Sequence, residues 1–226
     1  MSKKKKLARF AENQTFPNMF QVSFEQLSQH PFHLKGNWNS RFFDNGNPLV
    51  LELGCGKGEY TIGLSRKYPE KNFIGMDIKG ARMWKGCKTS QTENLSNVAF
   101  IRTRIELLEH FFAPNEVDEI WITFPDPQPR SSREKKRLTS PQFLKRYRNV
   151  VKPDGVIHLK TDDDQLYFYT LQVIENEKLS ILATSPNIHS DPTADEVAGI
   201  KTYYENIWLS KGLSIKYIRY KAHPAP

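Results

Sequence analysis

The 226-residue sequence predicts an α/β domain wound around a mostly parallel sheet, with an antiparallel strand at the C-terminal edge. Three observations carry this prediction. From Leu49 onward, short apolar stretches alternate with helical ones, the pattern of a doubly wound sheet. The first apolar stretch, Leu49 to Leu53 (LVLEL), is broken only by Glu52 and runs straight into three glycines at alternate positions, Gly54, Gly56 and Gly58, as a buried parallel strand ending in a tight turn does. The last two apolar stretches, Leu179 to Thr184 and Leu213 to Lys221, lack a full crossover unit between them, which implies antiparallel pairing at an edge.

The elements follow in order. Residues 1 to 47 are polar and aromatic without a sustained period, punctuated by Pro17, Pro31, Gly36, Gly46 and Asn47, and are expected as an extended arm preceding a domain over residues 48 to 226. The arm's Lys3, Lys4, Lys5, Lys6 and Arg9 suit either phosphates or a solvated tail. Its Phe16, Phe20, Phe24, Trp38, Phe42 and Phe43 are expected to pack on the domain rather than stack on bases. After the first strand, a helix over Tyr60 to Lys67 stops before Pro69. A second strand, Phe73 to Asp77, leads to a helix over Gly80 to Glu93. A third strand covers Val98 to Arg102, followed by a short helix from Ile105 to Phe112. A fourth strand, Val117 to Phe124, meets proline. A helix from Ser140, with Pro141 in its first turn, is expected to reach Val151, before a fifth strand over Val156 to Thr161 and a helix over Gln165 to Asn176. The stretch from Ser185 to Gly199 shows little periodicity, and Thr202 to Ser210 is helical.

Composition excludes several classes. Lysine and arginine total 33 against 25 acidic residues, a net charge of +8, which points to a polyanionic partner. Only Cys55 and Cys87 are present, so no disulfide framework is implied. No run approaches the roughly 18 apolar residues of a membrane-spanning helix, and the early lysines lead into no apolar signal core. A cytoplasmic protein with no membrane partner is expected.

The glycine spacing selects a ligand. A dinucleotide fingerprint has G-x-G-x-x-G, with a helix N-terminus facing a pyrophosphate. Here the pattern is G-x-G-x-G, with Glu52 two residues before the first glycine. That disfavours a nicotinamide-dependent oxidoreductase and favours a ligand without phosphates. S-adenosylmethionine fits, with Glu52 near its ammonium and sulfonium. Asp77, ending the second strand about 20 positions after Gly58, stands where an acid accepts both ribose hydroxyls; the competing reading makes it a cap for the helix from Lys79 onward.

Two further stretches lie at strand ends, where ligands of open α/β sheets bind. Phe124 to Arg137 reads FPDPQPRSSREKKR; the fourth strand is expected to neighbour the first, so Asp126 faces the ligand. Pro125, Pro127 and Pro129 stiffen the loop that holds it. Behind it, Arg130, Arg133, Lys135, Lys136, Arg137, Lys145, Arg146 and Arg148 accompany a single acid, Glu134, a composition suited to a phosphate backbone. Leu159 to Asp164 reads LKTDDD. Adjacent aspartates do not converge on a hard cation, and no metal is expected. Asp162 is the one expected to point into the cleft, with Asp163 or Asp164 serving as helix N-cap and first-turn charge. Thr202 and Glu205, three apart at a helix start, form a capping box.

Taken together, LELGCGKGEY, FPDPQPRSSREKKRL, KTDD and TYYE, in this order and spacing, closely resemble the bacterial tRNA (guanine-N7-)-methyltransferase family, from about Leu49 to the C-terminus. The resemblance implies a Rossmann-like class I methyltransferase fold and transfer of a methyl group from S-adenosyl-L-methionine to N7 of a guanine in the tRNA variable loop. It places Glu52, Gly54, Gly56, Asp77, Arg104, Ile105 and Asp126 at the cofactor, Asp126 also as the catalytic residue, and Arg130, Asp162, Thr202 and Glu205 at the substrate. Arg133, Lys135, Lys136 and Arg137 are the expected contacts to the RNA backbone. The family pattern has tryptophan where this chain has Gln128, lysines at the positions of Arg130 and Ser131, glutamate at that of Asp77, and an acid at that of Arg104. Because a guanidinium accepts no hydrogen bond, adenine recognition is then expected to rest on backbone groups near Arg104 and Ile105. A non-catalytic RNA-binding module with a vestigial pocket is the alternative that the Gln128 and Arg104 departures keep open.

Overall fold

The structure, a computed structural model, describes residues 3–225, with side chains from Lys6 onward apart from those of Asp195 and Glu196. The side chains of Lys3, Lys4 and Lys5 therefore lie outside the described residues. The chain forms two compact units, divided between Ala113 and Pro114.

The first unit contains α1 (Lys3–Asn13), β1 (Met19–Phe20), α2 (Phe24–Gln29), a π-helical turn (Trp38–Phe43), β2 (Leu49–Leu53), α3 (Glu59–Lys67), β3 (Asn72–Asp77), α4 (Gly80–Thr92), β4 (Val98–Arg102), a 3-10 turn (Ile105–Leu107) and α5 (Leu108–Phe111). Its strands run β1-β4-β3-β2, all parallel. All five β2 residues are buried, Glu52 included, which accounts for the nearly unbroken apolar run.

Residues 3–47 are not an extended arm. Helix α1 lies along α4: Trp84 Nε1 and Lys88 Nζ donate to the two oxygens of Glu12 at 2.6 and 2.7 Å, and Asn13 Nδ2 donates to the Gly80 carbonyl at 2.8 Å. Short β1 adds to the sheet edge beside β4, Met19 opposite Phe100. Trp38 is fully buried, donates from Nε1 to the Phe111 carbonyl at 3.0 Å, and is ringed by Phe20, Phe32, Phe42, Phe43 and Phe112. Burying these rings supplies what the missing periodicity concealed. The expectation that the aromatics pack holds for Phe20, Trp38, Phe42 and Phe43, whereas Phe24 is exposed.

The second unit contains β5 (Val117–Thr123), a 3-10 turn (Ser131–Lys136), α6 (Pro141–Arg148), β6 (Val151–Thr161), α7 (Asp164–Asn176), β7 (Ile181–Ser185), a second 3-10 turn (Pro192–Ala194), α8 (Asp195–Ala198), α9 (Tyr203–Ser210) and β8 (Lys216–Lys221). The order is β5-β6-β8-β7, with β5 and β6 parallel and both β8 pairings antiparallel. The expected antiparallel C-terminal edge is present, with β8 inserted between β6 and β7.

One helix and the strand after it have other limits than expected. Helix α6 ends at Arg148 rather than Val151, because Val151 pairs with Val117 and opens β6. The stretch from Ser185 to Gly199 holds a 3-10 turn and the four-residue α8, pieces too short to show a helical period. Among the described residues, no helix is long and apolar enough to cross a membrane.

Candidate functional site

In the first unit, β2 delivers the chain to the glycine loop. Gly54, Gly56 and Gly58 all take positive φ, at 80°, 56° and 71°, the region where a side chain on Cβ is strained. Their reasons differ. A Cβ on Gly54 would meet nothing within 4 Å, and one on Gly56 only the Gly54 carbonyl at that limit. The backbone there borders open space that a ligand can approach. A Cβ on Gly58 would come within 2.7 Å of the Phe100 ring and 3.2 Å of the Gly86 Cα, so Gly58 serves the packing of α3 on β4 and α4.

The loop is held from two sides. The backbone N–H groups of Gly54 and Cys55 donate to the Met76 carbonyl at 2.8 and 3.0 Å, and Gly56 N–H donates to Asp77 Oδ2 at 2.9 Å. Asp77 Oδ1 accepts from the Lys79 backbone at 2.7 Å. The two sequence readings of Asp77 are thus compatible: one oxygen braces the turn into α4, the other grips the loop, and each retains lone-pair capacity for a further donor. Glu52 is buried, and its Oε2 accepts from the backbone N–H of Thr61 at 2.8 Å and from the Thr61 hydroxyl. Since Gly58 has no side chain to cap α3, Glu52 satisfies an N-terminal donor of that helix from the neighbouring strand. Cys55, buried in the loop, has its thiol pushed well up by burial, which keeps it protonated and unreactive.

Sequence reasoning passed over Ile78, an apolar side chain 56% exposed directly after Asp77. Its signal was available: the second strand's acid is followed by an isoleucine that lies outside the strand. Arg104, ahead of the 3-10 turn, forms an exposed ion pair with Glu106 at 3.6 Å. Ile105 opens that turn.

In the second unit, Asp126 is exposed in the proline loop after β5. Its Oδ1 accepts from the Gln128 backbone at 3.1 Å, and Gln128 takes φ of 47°. Gln128 therefore sits in a strained turn closed by Asp126, and its carbonyl accepts from Arg137 Nε at 3.3 Å. This corrects the expected role of Arg137 on the RNA backbone. Arg137 is 4% exposed and its guanidinium lies 4.2 Å over the Tyr169 ring, so it is committed to the loop. Burial and nearby Glu134 push the Tyr169 hydroxyl up to about 12. Arg148 is also drawn inward, bonding Glu177 at 2.8 Å and the Ala222 carbonyl at 3.0 Å. Arg130, Arg133, Lys135 and Lys136 are exposed along one short turn.

At the end of β6, Asp163 caps α7 through Leu166 N–H at 2.6 Å, and Asp164 lies in the first turn, as expected. Asp162 is half-buried, and burial holds its carboxyl above the usual carboxylate range. Lys216 Nζ ties this turn together, donating to the Asp162 carbonyl at 2.9 Å and pairing with Asp164 at 2.8 Å. The capping box of α9 is complete in both directions between Thr202 and Glu205. Direct substrate contact by Glu205 is corrected: its side chain is fully buried, with Oε1 at 2.9 Å from His189 Nε2 and Oε2 at 2.9 Å from Lys160 Nζ. Thr202 is largely buried and accepts on its hydroxyl from Glu205 N–H at 3.1 Å. Lys160 and His189 were not singled out by sequence; a lysine inside an apolar strand was the available signal for the first.

Comparison with known proteins follows the same lines. The family described as "Putative methyltransferase" matches residues 46–218. A tRNA (guanine-N(7)-)-methyltransferase of Christiangramia forsetii is 55% identical over 98% of this chain and 99% of its own, and one of Bacteroides thetaiotaomicron is 48% identical over 96% and 86%. Among solved structures, an antibiotic-related methyltransferase aligns with a TM-score of 0.64 at 16% identity, covering 86% of this chain and 96% of its own. The 16S rRNA methyltransferase KamB aligns with a TM-score of 0.62 at 15% identity, covering 90% and 95%. At these identities the structural likeness establishes the fold alone, a Rossmann-like α/β fold. The likeness to the curated relatives extends over nearly the whole chain, and the chain belongs to the tRNA (guanine-N7-)-methyltransferase family.

Proposed function

We propose that this protein methylates N7 of a guanine in the variable loop of tRNA, with S-adenosyl-L-methionine as methyl donor, in the cytoplasm where tRNA is found. The observation that carries the reading is the 55% identity to a tRNA (guanine-N(7)-)-methyltransferase across 98% of the chain, because the fold alone serves many substrates.

The residues of the glycine loop fit the cofactor. Open space where Gly54 and Gly56 lack a Cβ, with both φ angles positive, gives a backbone cradle, and Asp77 offers lone pairs for two ribose hydroxyls. Ile78 presents an apolar face for adenine, and backbone groups at Arg104 and Ile105 read its edge. Glu52 supports the cradle by tying β2 to α3. When bound, the cofactor supplies an electrophilic methyl group.

The chain's own residues have a positioning task. Guanine N7 carries a free lone pair, so no proton leaves before attack and no general base is needed. The guanine edge offers two donors, N1–H and the exocyclic amine. Asp162, half-buried at the end of β6, and Asp126, in its stiff loop, accept from that edge and stabilise the positive charge that grows on the purine. Arg130 and Thr202 orient the nucleotide, and Arg133, Lys135 and Lys136 hold the phosphate backbone.

The test is incubation with labelled S-adenosylmethionine and bulk tRNA, followed by digestion to nucleosides. Label in 7-methylguanosine, mapped to the variable loop, is the expected outcome; label in another nucleoside, or none, overturns the reading.

A further inference from the structure

We propose that Lys160 is a positioning residue, whose buried ammonium fixes residues 197–205 and thereby holds Thr202 in place for the RNA. The inference rests on the functional reading above for Thr202, but its structural content stands apart from it.

Lys160 lies one residue before the end of β6 with its side chain fully buried. Its Nζ donates to the carbonyls of Val197 and Ile200, both at 3.0 Å, and pairs with Glu205 at 2.9 Å. These acceptors come from the end of α8, the linker after it and the first turn of α9. A single strand residue thus gathers three points of a segment that pairs with no strand of the sheet. Glu205 continues the chain of contacts: its other oxygen meets His189, and its Oε2 also accepts from Thr202 N–H at 3.4 Å.

A buried ion pair is poor evidence of stabilisation, because removing two charges from water costs about what their attraction returns. Burial pulls the Lys160 ammonium below its usual range while Glu205 opposes that shift, which is the signature of such a balance. What the pair provides is geometry. An apolar residue of similar size would fill the space, yet it would leave the Val197 and Ile200 carbonyls without this donor. The same strand end carries Asp162 two residues on, so β6 sets both Asp162 and the 197–205 segment.

The test uses the full chain. Lys160→Met alone strands Glu205 as an unpaired buried charge and is expected to fold poorly. Lys160→Met with Glu205→Gln removes both charges and is expected to keep parent-like circular dichroism and S-adenosylmethionine affinity. In that double variant, the amides of Thr202 to Glu205 should exchange with solvent about tenfold faster, since local opening free energies fall when tertiary bonds are removed, and KM for tRNA should rise by about tenfold with a smaller change in kcat. Parent-like exchange of those amides overturns the proposal, as does a KM restored together with the fold. Should the parent methylate no tRNA, the functional reading fails, while the exchange comparison still decides the role of Lys160.

Discussion

Asp126 and Arg137 separate two kinds of residue in one loop. Asp126 is exposed, with one oxygen on the Gln128 backbone; Asp126→Asn keeps the size and most of that bond but removes the charge. Its loss should fall on turnover, by about 100-fold or more in single-turnover methylation, and much less on RNA affinity. With no general base, the parent rate should stay nearly flat between about pH 6.5 and 8.5, above the carboxylate range. A steep rise over that interval would reveal a general base and overturn this mechanism, and full activity in the Asn variant would make Asp126 structural. Arg137, by contrast, is buried on Tyr169 and the Gln128 carbonyl. Arg137→Met should lower stability by about 1–3 kcal/mol through the freed carbonyl and the absent stacking, and should leave the salt dependence of tRNA binding untouched. A shallower salt slope in Arg137→Met would return Arg137 to the phosphate contacts.

The glycine loop shows what each element asks of its residues. Gly56→Ala meets open space, so its cost to stability is limited to the left-handed backbone, about 1–2 kcal/mol. It should weaken S-adenosylmethionine binding, because the new methyl group occupies the cradle. Gly58→Ala adds a collision with Phe100 and Gly86 and should be the more destabilising by thermal unfolding. Equal melting temperatures for the two variants would contradict the division of labour between these glycines. This loop was legible in the sequence because strand, glycines and Asp77 are local, and their spacing is itself the signal. Strands β2 and β4 were read with the observed limits for the same reason. What stayed hidden depends on distant partners. Helix α1 is tied down by Glu12 meeting Trp84 and Lys88, β1 is two residues long, and no local pattern announces either. The inward turn of Arg137 was equally hidden, since a basic run looks solvated whichever member folds under. Lys160 and Glu205 stand 45 positions apart, and nothing in KTDD or TYYE reveals that they meet.

At the scale of the whole chain, the proposed function draws cofactor chemistry mainly from Leu49 to Ile105 and RNA chemistry from Asp126 to Glu205, and the two should respond differently to salt. The chain carries a net charge of +8, and Arg133, Lys135 and Lys136 lie exposed on one turn. Each lysine that neutralises a phosphate releases condensed counterions, so removing it lowers the log–log salt slope of binding by roughly 0.7–0.9. Lys135→Gln with Lys136→Gln should therefore make tRNA binding less salt-dependent by about 1.4–1.8. In the proposed function, cofactor binding rests on short contacts of the glycine loop and Asp77, which salt screens much less than exposed charges, so S-adenosylmethionine affinity should barely change between about 50 and 200 mM salt in either protein. The pair of measurements discriminates the two roles of positive charge. If the tRNA slope is unaltered by the double substitution, the turn is a solvated face and the backbone contacts lie elsewhere. If cofactor affinity falls with salt as steeply as tRNA affinity does, the assignment of the two chemistries to separate stretches of the chain is wrong.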